Sequence, residues 1–287
     1  MAESYPVVSE STALPLAKKW SQAPWGAWGL RLAAITYLCV FVAVPVIVVA
    51  VEGFRPGLDA FWMSLTRPAA INAVWLTVWT AAVMTILNMV MGTLTAYVLV
   101  TYRFPGKELF NSLVDLPFAI PTLVTGVMLV LLYGPQTAIG GFFEKQLGFK
   151  VIFAPPGIIL SLLFVGYPFV IRAVQPVLLT LEANQQEAAK TLGASGWYTF
   201  RRVIFPAVRP AVITGGLLSF ARALGEFGAI IVVAGNIPMK TQTATVYLYG
   251  QVEAGNMSAA SAVSFVLLFI AFAITLTVDV VESRRNA

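Results

Sequence analysis

Six long apolar runs, separated by short polar segments, dominate this chain of 287 residues. They cover residues 30–51, 69–100, 109–133, 154–179, 209–234 and 259–282. Each run reaches the roughly 20 residues with which an α-helix crosses the hydrocarbon of a bilayer. The pattern therefore predicts an all-α integral membrane protein with six transmembrane helices. The second run exceeds a straight crossing, so we expect that helix to tilt or to extend beyond the bilayer.

Lysine and arginine are distributed unequally between the connections on the two sides of these spans. Eleven lie on one side: Lys18, Lys19, Arg31, Arg103, Lys107, Lys190, Arg201, Arg202, Arg209, Arg284 and Arg285. Five lie on the other: Arg55, Arg67, Lys145, Lys150 and Lys240. Positive charge accumulates in cytoplasmic loops. The excess predicts that both termini and the loop 180–208 are cytoplasmic.

This topology divides the chain into four parts. We expect a cytoplasmic tail over 1–28, a first transmembrane helix with an outer connector over 29–68, a five-helix membrane domain over 69–283 and a cytoplasmic C-terminal tail over 284–287. The first apolar run is long for the core of a signal peptide, and no convincing small-residue cleavage site follows it. We therefore interpret it as a retained helix.

Composition excludes several classes of function. The chain is 59% hydrophobic and only 11% charged, whereas soluble domains carry about 25% charged residues. Histidine is absent and Cys39 is the one cysteine, so a disulfide within the chain, a Cys/His zinc site and a Ser–His–Asp triad are excluded. We expect Cys39 to be a small buried residue. No dense basic block with interleaved aromatics points to nucleic acid.

The loop 180–208 has the composition of a docking element. Good helix formers fill Asn184–Leu192, Gly193 permits the positive φ of a helix end, and Ser195 can cap a second short helix over Trp197–Ile204. We expect Pro206 to stop that helix before the next span. Basic cytoplasmic loops are common, so an interfacial loop without a partner stays an alternative at this point.

Several stretches resemble a known family of permeases. The EAA at Glu187–Ala189, Gly193 and the apolar VIFP at Val203–Pro206 resemble the EAA loop of ABC-importer permeases, with Phe205 where that signature has leucine. Four other stretches, YRFPGK, DLPFAIPT, RAVQPVL and FARALGEFGAIIVVAGNIP, are similar to the permeases of sulfate/thiosulfate importers, and most similar to their T-type subunit. The resemblance covers about residues 60–282.

The resemblance implies a type I ABC-importer (MetI-like) fold in the bacterial cytoplasmic membrane, with residues 69–283 as the type-1 transmembrane domain. It also implies a W-type permease partner, two cytoplasmic ATPase subunits and an external sulfate-binding protein. ATP and Mg would be used by the ATPase, since this chain has no GxxxxGK[ST] loop and is expected to bind no cofactor or metal and to be no enzyme. The coupling residues carried over by position are Glu187, Ala188, Ala189, Leu192, Gly193, Ala194 and Arg201.

Two alternatives to sulfate import stay open in the sequence. The first is another oxyanion, such as molybdate, tungstate or phosphate, because the external binding protein does most of the selecting. The second is a stand-alone secondary transporter or a membrane-embedded enzyme. We find no clear repeat between residues 30–133 and 154–282, although secondary transporters often contain inverted repeats.

Arg172, Arg222 and Glu226 are ionisable residues inside the apolar runs. Such groups are costly at membrane depth and are functional candidates. Arg222 and Glu226 are four residues apart, so they lie on one helical face and an ion pair between them is the simplest interpretation. A dianion needs a hydrated, mildly positive path, for which Arg222 is the first candidate and Arg172 the second. We interpret Asp115 as a carboxylate that stabilises a helix N-terminus.

Overall fold

The computed structural model describes residues 24–181, 191 and 193–286, and all regular secondary structure in this part of the chain is helical. The helices are α1 (Pro24–Leu38), α2 (Val44–Phe54), α3 (Leu58–Leu65), α4 (Pro68–Thr101), α5 (Lys107–Ala119), α6 (Thr122–Tyr133), α7 (Ala138–Gln146), α8 (Pro155–Thr180), α9 (Gly196–Leu224), α10 (Gly228–Ala234), α11 (Ala244–Glu253) and α12 (Met257–Asn286). The predicted all-α fold class is confirmed.

Five helices are long and apolar enough to cross a membrane within the described residues. They are Trp28–Phe54, Pro68–Thr101, Pro155–Thr180, Gly196–Leu224 and Met257–Val278. The bent pair α5 and α6 brings the number to six if it counts as one span. These bounds agree with the first, second, fourth and sixth predicted spans to within a few residues. The third and fifth predicted spans need correction.

The third span is broken instead of continuous over 109–133. Helix α5 ends at Ala119, α6 begins at Thr122, and their axes differ by 111°. Pro121 has no N–H to continue the α5 hydrogen bonds, and it holds the preceding Ile120 in an extended conformation (φ −83°, ψ 127°). The helix passes Pro117 without interruption and is completely broken at Pro121.

The fifth span begins earlier and ends earlier than the predicted 209–234. Helix α9 starts at Gly196 and passes through Pro206 without stopping, because a π-helical segment over Phe200–Ile204 widens the turn before the proline. In this segment the Phe205 N–H bonds to the Phe200 carbonyl. The helix then ends at Leu224, and α10 begins separately at Gly228.

The chain divides into two units, Met1–Val48 and Val49–Ala287. In the first unit, a π-helical segment over Cys39–Ala43 joins α1 to α2. All side chains from Trp28 to Val48 are exposed, Cys39 among them. The expectation of a buried cysteine is therefore wrong. An exposed apolar surface is compatible with a membrane span, where the surrounding solvent is hydrocarbon.

The core of the second unit is built where α4, α8 and α9 approach closely at glycines. A Cβ placed on Gly215 of α9 would lie 2.8 Å from the Val170 Cα of α8, and one on Gly92 of α4 would lie 2.9 Å from the Val170 Cβ. Small residues permit such approach between membrane helices. A buried polar bridge lies nearby, in which Ser219 Oγ donates to the Gly166 carbonyl at 3.1 Å. These contacts hold the helices that carry the candidate site.

Candidate translocation and coupling sites

Arg222 and Glu226 form the predicted ion pair, but Glu226 lies in the link after α9 ends at Leu224, so the two residues do not share one helical face. Arg222 Nη2 lies 2.9 Å from Glu226 Oε2, and the Glu226 side chain is 1% exposed while that of Arg222 is 36% exposed. Within the described part of the chain, this carboxylate is the one polar partner of the Arg222 guanidinium. Because a guanidinium has five N–H donors, most of them are available to a further group.

Glu226 has a second role, which its position in the sequence does not reveal. Its Oε1 accepts a hydrogen bond of 2.9 Å from the Ala229 N–H in the first turn of α10. The backbone carbonyl of Glu226 accepts a hydrogen bond of 2.7 Å from Thr245 Oγ1 of α11. A carboxylate at a helix N-terminus satisfies a free amide and stabilises the helix dipole. Glu226 thus holds Arg222 and also fixes the start of α10 after the break.

The break between α5 and α6 and the break between α9 and α10 contact each other near this pair. Gly126 of α6 has no side chain, and a Cβ there would lie 2.8 Å from the Ala229 carbonyl oxygen of α10. A Cβ on Gly228 would collide with Thr122 Oγ1 and lie 3.0 Å from the Leu123 amide nitrogen. The start of α6 and the start of α10 are therefore packed backbone against backbone. A movement of either half-helix has to involve the other.

Arg172 has a different environment, in which all of its donors are used. Five hydrogen bonds of 2.5–3.0 Å leave its guanidinium for both carboxylate oxygens of Asp115, for Oδ1 and the carbonyl of Asn111, and for Oε1 of Gln175. Since arginine has five N–H donors, none remains for a passing anion in this conformation. The geometry instead indicates that Arg172 of α8 holds α5 in place.

The cluster around Arg172 corrects the interpretation of Asp115. This residue lies in the second half of α5, not at its N-terminus, and it accepts a bidentate hydrogen-bonded pair from α8. The partners Asn111 and Gln175 are missed in the sequence analysis. The sequence pattern that could have revealed them is their spacing. Asn111 lies four residues before Asp115 on α5, and Gln175 lies three residues after Arg172 on α8, so each pair shares a helical face.

We expect Arg172→Lys to loosen α5 without preventing the other helices from packing. Lysine has three donors and no planar fork, so it cannot replace the bidentate contact with Asp115 or reach Asn111 and Gln175 together. The Arg172 and Asp115 side chains are partly exposed, at 32% and 49%. We therefore expect the free energy of unfolding to fall by about 1 kcal/mol or slightly more. Proteolysis of the 102–121 segment in detergent should accelerate; an unchanged rate would contradict this role.

The coupling candidates fall partly outside the described residues. Glu187, Ala188, Ala189 and Leu192 lie there, while Gly193, Ala194 and Arg201 are described. Gly193 has φ +80°, the conformation that its sequence position predicts. Ser195 caps α9 as expected, since its Oγ accepts from the Tyr198 N–H at 3.2 Å. A turn at Gly193 therefore directly precedes a 29-residue helix.

Beyond the cap, this end of α9 is rich in exposed aromatic groups. Trp197 is 70% exposed and stacks on Phe200, with ring centroids 5.8 Å apart. Arg201, one of the predicted coupling residues, is exposed beside them. Aromatic residues and arginine are enriched where proteins meet. The segment consequently presents both apolar and cationic groups next to the Gly193 turn.

Comparison with known proteins identifies the family. The family of binding-protein-dependent transport system inner membrane components matches residues 88–286. The sulfate transport system permease protein CysT of Synechocystis sp. is 37% identical over 100% of this chain and 99% of its own. The sulfate transport system permease protein CysT of Escherichia coli K12 is 36% identical over 88% of this chain and 90% of its own. A probable cysT of Chlorokybus atmophyticus is 38% identical over 91% and 90%.

Solved structures of ABC importers share the fold. A chain of the bacterial alginate ABC transporter, in complex with its alginate pentasaccharide-bound periplasmic protein, superposes with a TM-score of 0.74 at 19% identity, covering 91% of this chain and 94% of that one. A chain of the inward-facing MetNI methionine ABC transporter superposes with a TM-score of 0.55 at 19% sequence identity. The superposition covers 74% of this chain and 94% of that one. The predicted MetI-like importer fold is thus confirmed. Since the family match extends from α4 to α12 and the sulfate permeases align over most of its length, the chain belongs to the inner membrane components of binding-protein-dependent transport systems, with the CysT permeases as its relatives.

Proposed function

We propose that this protein is the T-type permease subunit of an ATP-driven importer that moves sulfate, and with it thiosulfate, across the cytoplasmic membrane. The observation that carries the proposal is the similarity to sulfate permeases over 88–100% of the chain. In this function the chain supplies a passage, and ATP with Mg is used by partner subunits. A W-type permease, two ATPase subunits and an external sulfate-binding protein complete the transporter.

The path for the anion is placed at Arg222. Sulfate is a dianion, so it needs a hydrated passage whose positive potential is weak enough for release. Arg222 suits this because it is partly exposed and has free donors, while buried Glu226 screens its charge. Arg172, whose donors are all taken by α5 and by Gln175, is the weaker candidate. Its proposed role is to position α5.

The gate is placed where the two broken spans meet. The starts of α6 and α10 are in close contact at Gly126 and Gly228, and α10 begins two residues after Glu226, the partner of Arg222. Alternating access requires a constriction that opens without unfolding the helices, and short half-helices can move as rigid pieces at their hinges. ATP binding and hydrolysis would act from the other end of α9, through the segment 180–208 on the cytoplasmic side. Both termini are placed on that same side.

Reconstitution tests the function directly. Proteoliposomes with this chain, a W-type permease and the ATPase should accumulate radioactive sulfate when ATP and the cognate binding protein are present. The chain alone should accumulate none. Uptake by the chain alone would favour a secondary transporter, and uptake of molybdate or tungstate without sulfate would assign a different oxyanion.

We expect Gly193→Pro to uncouple ATP hydrolysis from transport or to block assembly with the ATPase. Proline requires φ near −65°, whereas Gly193 has φ +80°, so the turn between the coupling segment and α9 cannot be kept. Sulfate uptake per ATP hydrolysed, together with copurification of the ATPase, measures the effect.

Gly196→Pro is the matched control for this prediction. Gly196 is the first residue of α9, where proline is well tolerated, and the preceding Ser195 already has the extended conformation (φ −65°, ψ 156°) that proline demands. A Cβ at Gly196 would meet nothing within 4 Å. Coupled transport should survive in this control. Equal coupling in Gly193→Pro would remove the turn from the mechanism.

A further inference from the structure

An apolar groove opens on the side of the second unit, between α4, α5 and α8. It encloses about 480 Å³, within the range of small-molecule sites, and its wall includes Leu94, Val98, Phe110, Leu113 and Tyr167. The Arg172 cluster joins α5 to α8, and residues of α4, α5 and α8 line the groove. The Leu94, Val98, Phe110 and Leu113 side chains are 42–55% exposed in this chain.

The wall offers no unsatisfied polar group to water. Its two hydroxyls, of Thr95 and Tyr167, are 2.5 Å apart and bond to each other. Because α4 is a membrane span, the medium outside the groove is hydrocarbon. An apolar wall without neighbouring atoms loses its dispersion contacts. A flexible acyl chain from the surrounding lipid has the chemistry and the access to restore them.

Positively charged residues lie close in the sequence to Phe104, which lines the groove. The Phe104 ring is 5.9 Å from that of Phe110, and Phe104 lies in the short link after the membrane span α4. Arg103 and Lys107 flank Phe104, and neither has a carboxylate within 4.0 Å in the described residues. Glu108 is adjacent in sequence and exposed, which leaves a local excess of one positive charge. A helix end at this position emerges at the level of lipid headgroups.

We propose that this groove binds one acyl chain of an anionic phospholipid whose phosphate is held by Arg103 and Lys107. The apolar wall accepts the chain, and the two cations that flank Phe104 select the charged headgroup. Basic pockets at the ends of membrane helices recognise anionic lipids in this way. The lipid fills the space between α5 and α4 and so supports the half-span that leads to the break at Pro121. This inference depends on the membrane topology of α4 and not on the identity of the transported anion.

Native mass spectrometry of the full chain, loaded from mixed micelles of palmitoyl-oleoyl phosphatidylglycerol and phosphatidylcholine, tests the proposal. We expect one retained phosphatidylglycerol. In Arg103→Gln/Lys107→Gln, preference for phosphatidylglycerol should fall roughly fivefold for each cation removed. Leu113→Trp fills the groove from an exposed position and should abolish retention of both lipids at this site. Arg67→Gln/Lys145→Gln removes two exposed cations elsewhere and should leave the preference unchanged.

Two results would overturn the proposal. The first is the same lipid retention and headgroup preference in all variants. The second is a loss of association with the second permease subunit in Leu113→Trp while lipid retention stays the same, which would assign the groove to the subunit interface. Elution volume in gel filtration verifies that each variant is folded.

Discussion

Arg222→Gln is expected to destabilise the protein by about 3 kcal/mol, because the Glu226 carboxylate, 1% exposed, would lose its counter-ion while it stays buried. The double variant Arg222→Gln/Glu226→Gln should recover most of this loss. A glutamine at 226 carries no charge, and its side-chain oxygen can still accept from the Ala229 N–H that starts α10. The temperature at which detergent-solubilised protein leaves the monodisperse gel-filtration peak measures both effects.

The double variant also separates a structural pair from an anion path. A transport defect in Arg222→Gln alone is ambiguous, since that variant also buries an unpaired charge. If the Arg222 charge attracts the dianion, the stable double variant should still lose sulfate uptake by roughly tenfold, which corresponds to only about 1.4 kcal/mol of barrier. Glu226→Gln alone keeps the cation and should transport better than the double variant. Equal uptake by the double variant and the unmodified protein would limit the pair to a structural role.

Gly215→Ala is expected to reduce stability by about 1–3 kcal/mol, the usual range for overpacking. The new Cβ would lie 2.8 Å from the Val170 Cα and 3.1 Å from the Phe169 carbonyl oxygen. Both are backbone atoms of α8, so no side-chain rotation can relieve the contact, and α8 and α9 have to separate. The melting temperature in detergent should fall by several degrees, with reduced yield of the assembled transporter.

Gly250→Ala is the matched control for the Gly215 prediction. Gly250 lies inside α11, where a Cβ would meet nothing within 4 Å. Alanine has the higher helix propensity, so the control should be neutral or up to about 1 kcal/mol more stable. A melting temperature for Gly215→Ala that equals that of Gly250→Ala would show that α8 and α9 do not depend on this close approach.

Part of the candidate site is predictable from the sequence because it rests on contacts between near neighbours. Arg222 and Glu226 are four residues apart and pair although Glu226 lies beyond the end of α9, Ser195 caps the residues directly after it, and Gly193 has the positive φ expected of its position. Each of these depends on the geometry of a few consecutive residues. The orientation of the termini and the coupling roles of Glu187–Ala189 stay predictions.

The Arg172 cluster shows why the rest is less predictable. Its partners Asn111 and Asp115 are 61 and 57 residues away in sequence. An arginine in an apolar run has the same sequence signature whether it faces a pore or joins two helices. The difference lies in which helix packs beside it, and this distinguishes Arg172, with all five donors used, from Arg222, with most of them free.

The sequence by itself determined the membrane environment, the approximate position of most spans and the family, because runs of about 20 apolar residues are typical of helices that cross a bilayer and because the motifs are continuous. Only the tertiary structure decided how the spans are interrupted. Pro121 breaks a span whereas Pro206 does not, since a π-helical segment accommodates the second. It also brought the starts of α6 and α10 into contact at Gly126 and Gly228. Such contacts depend on backbone surfaces distant in sequence, and hydrophobicity alone does not encode which of them meet.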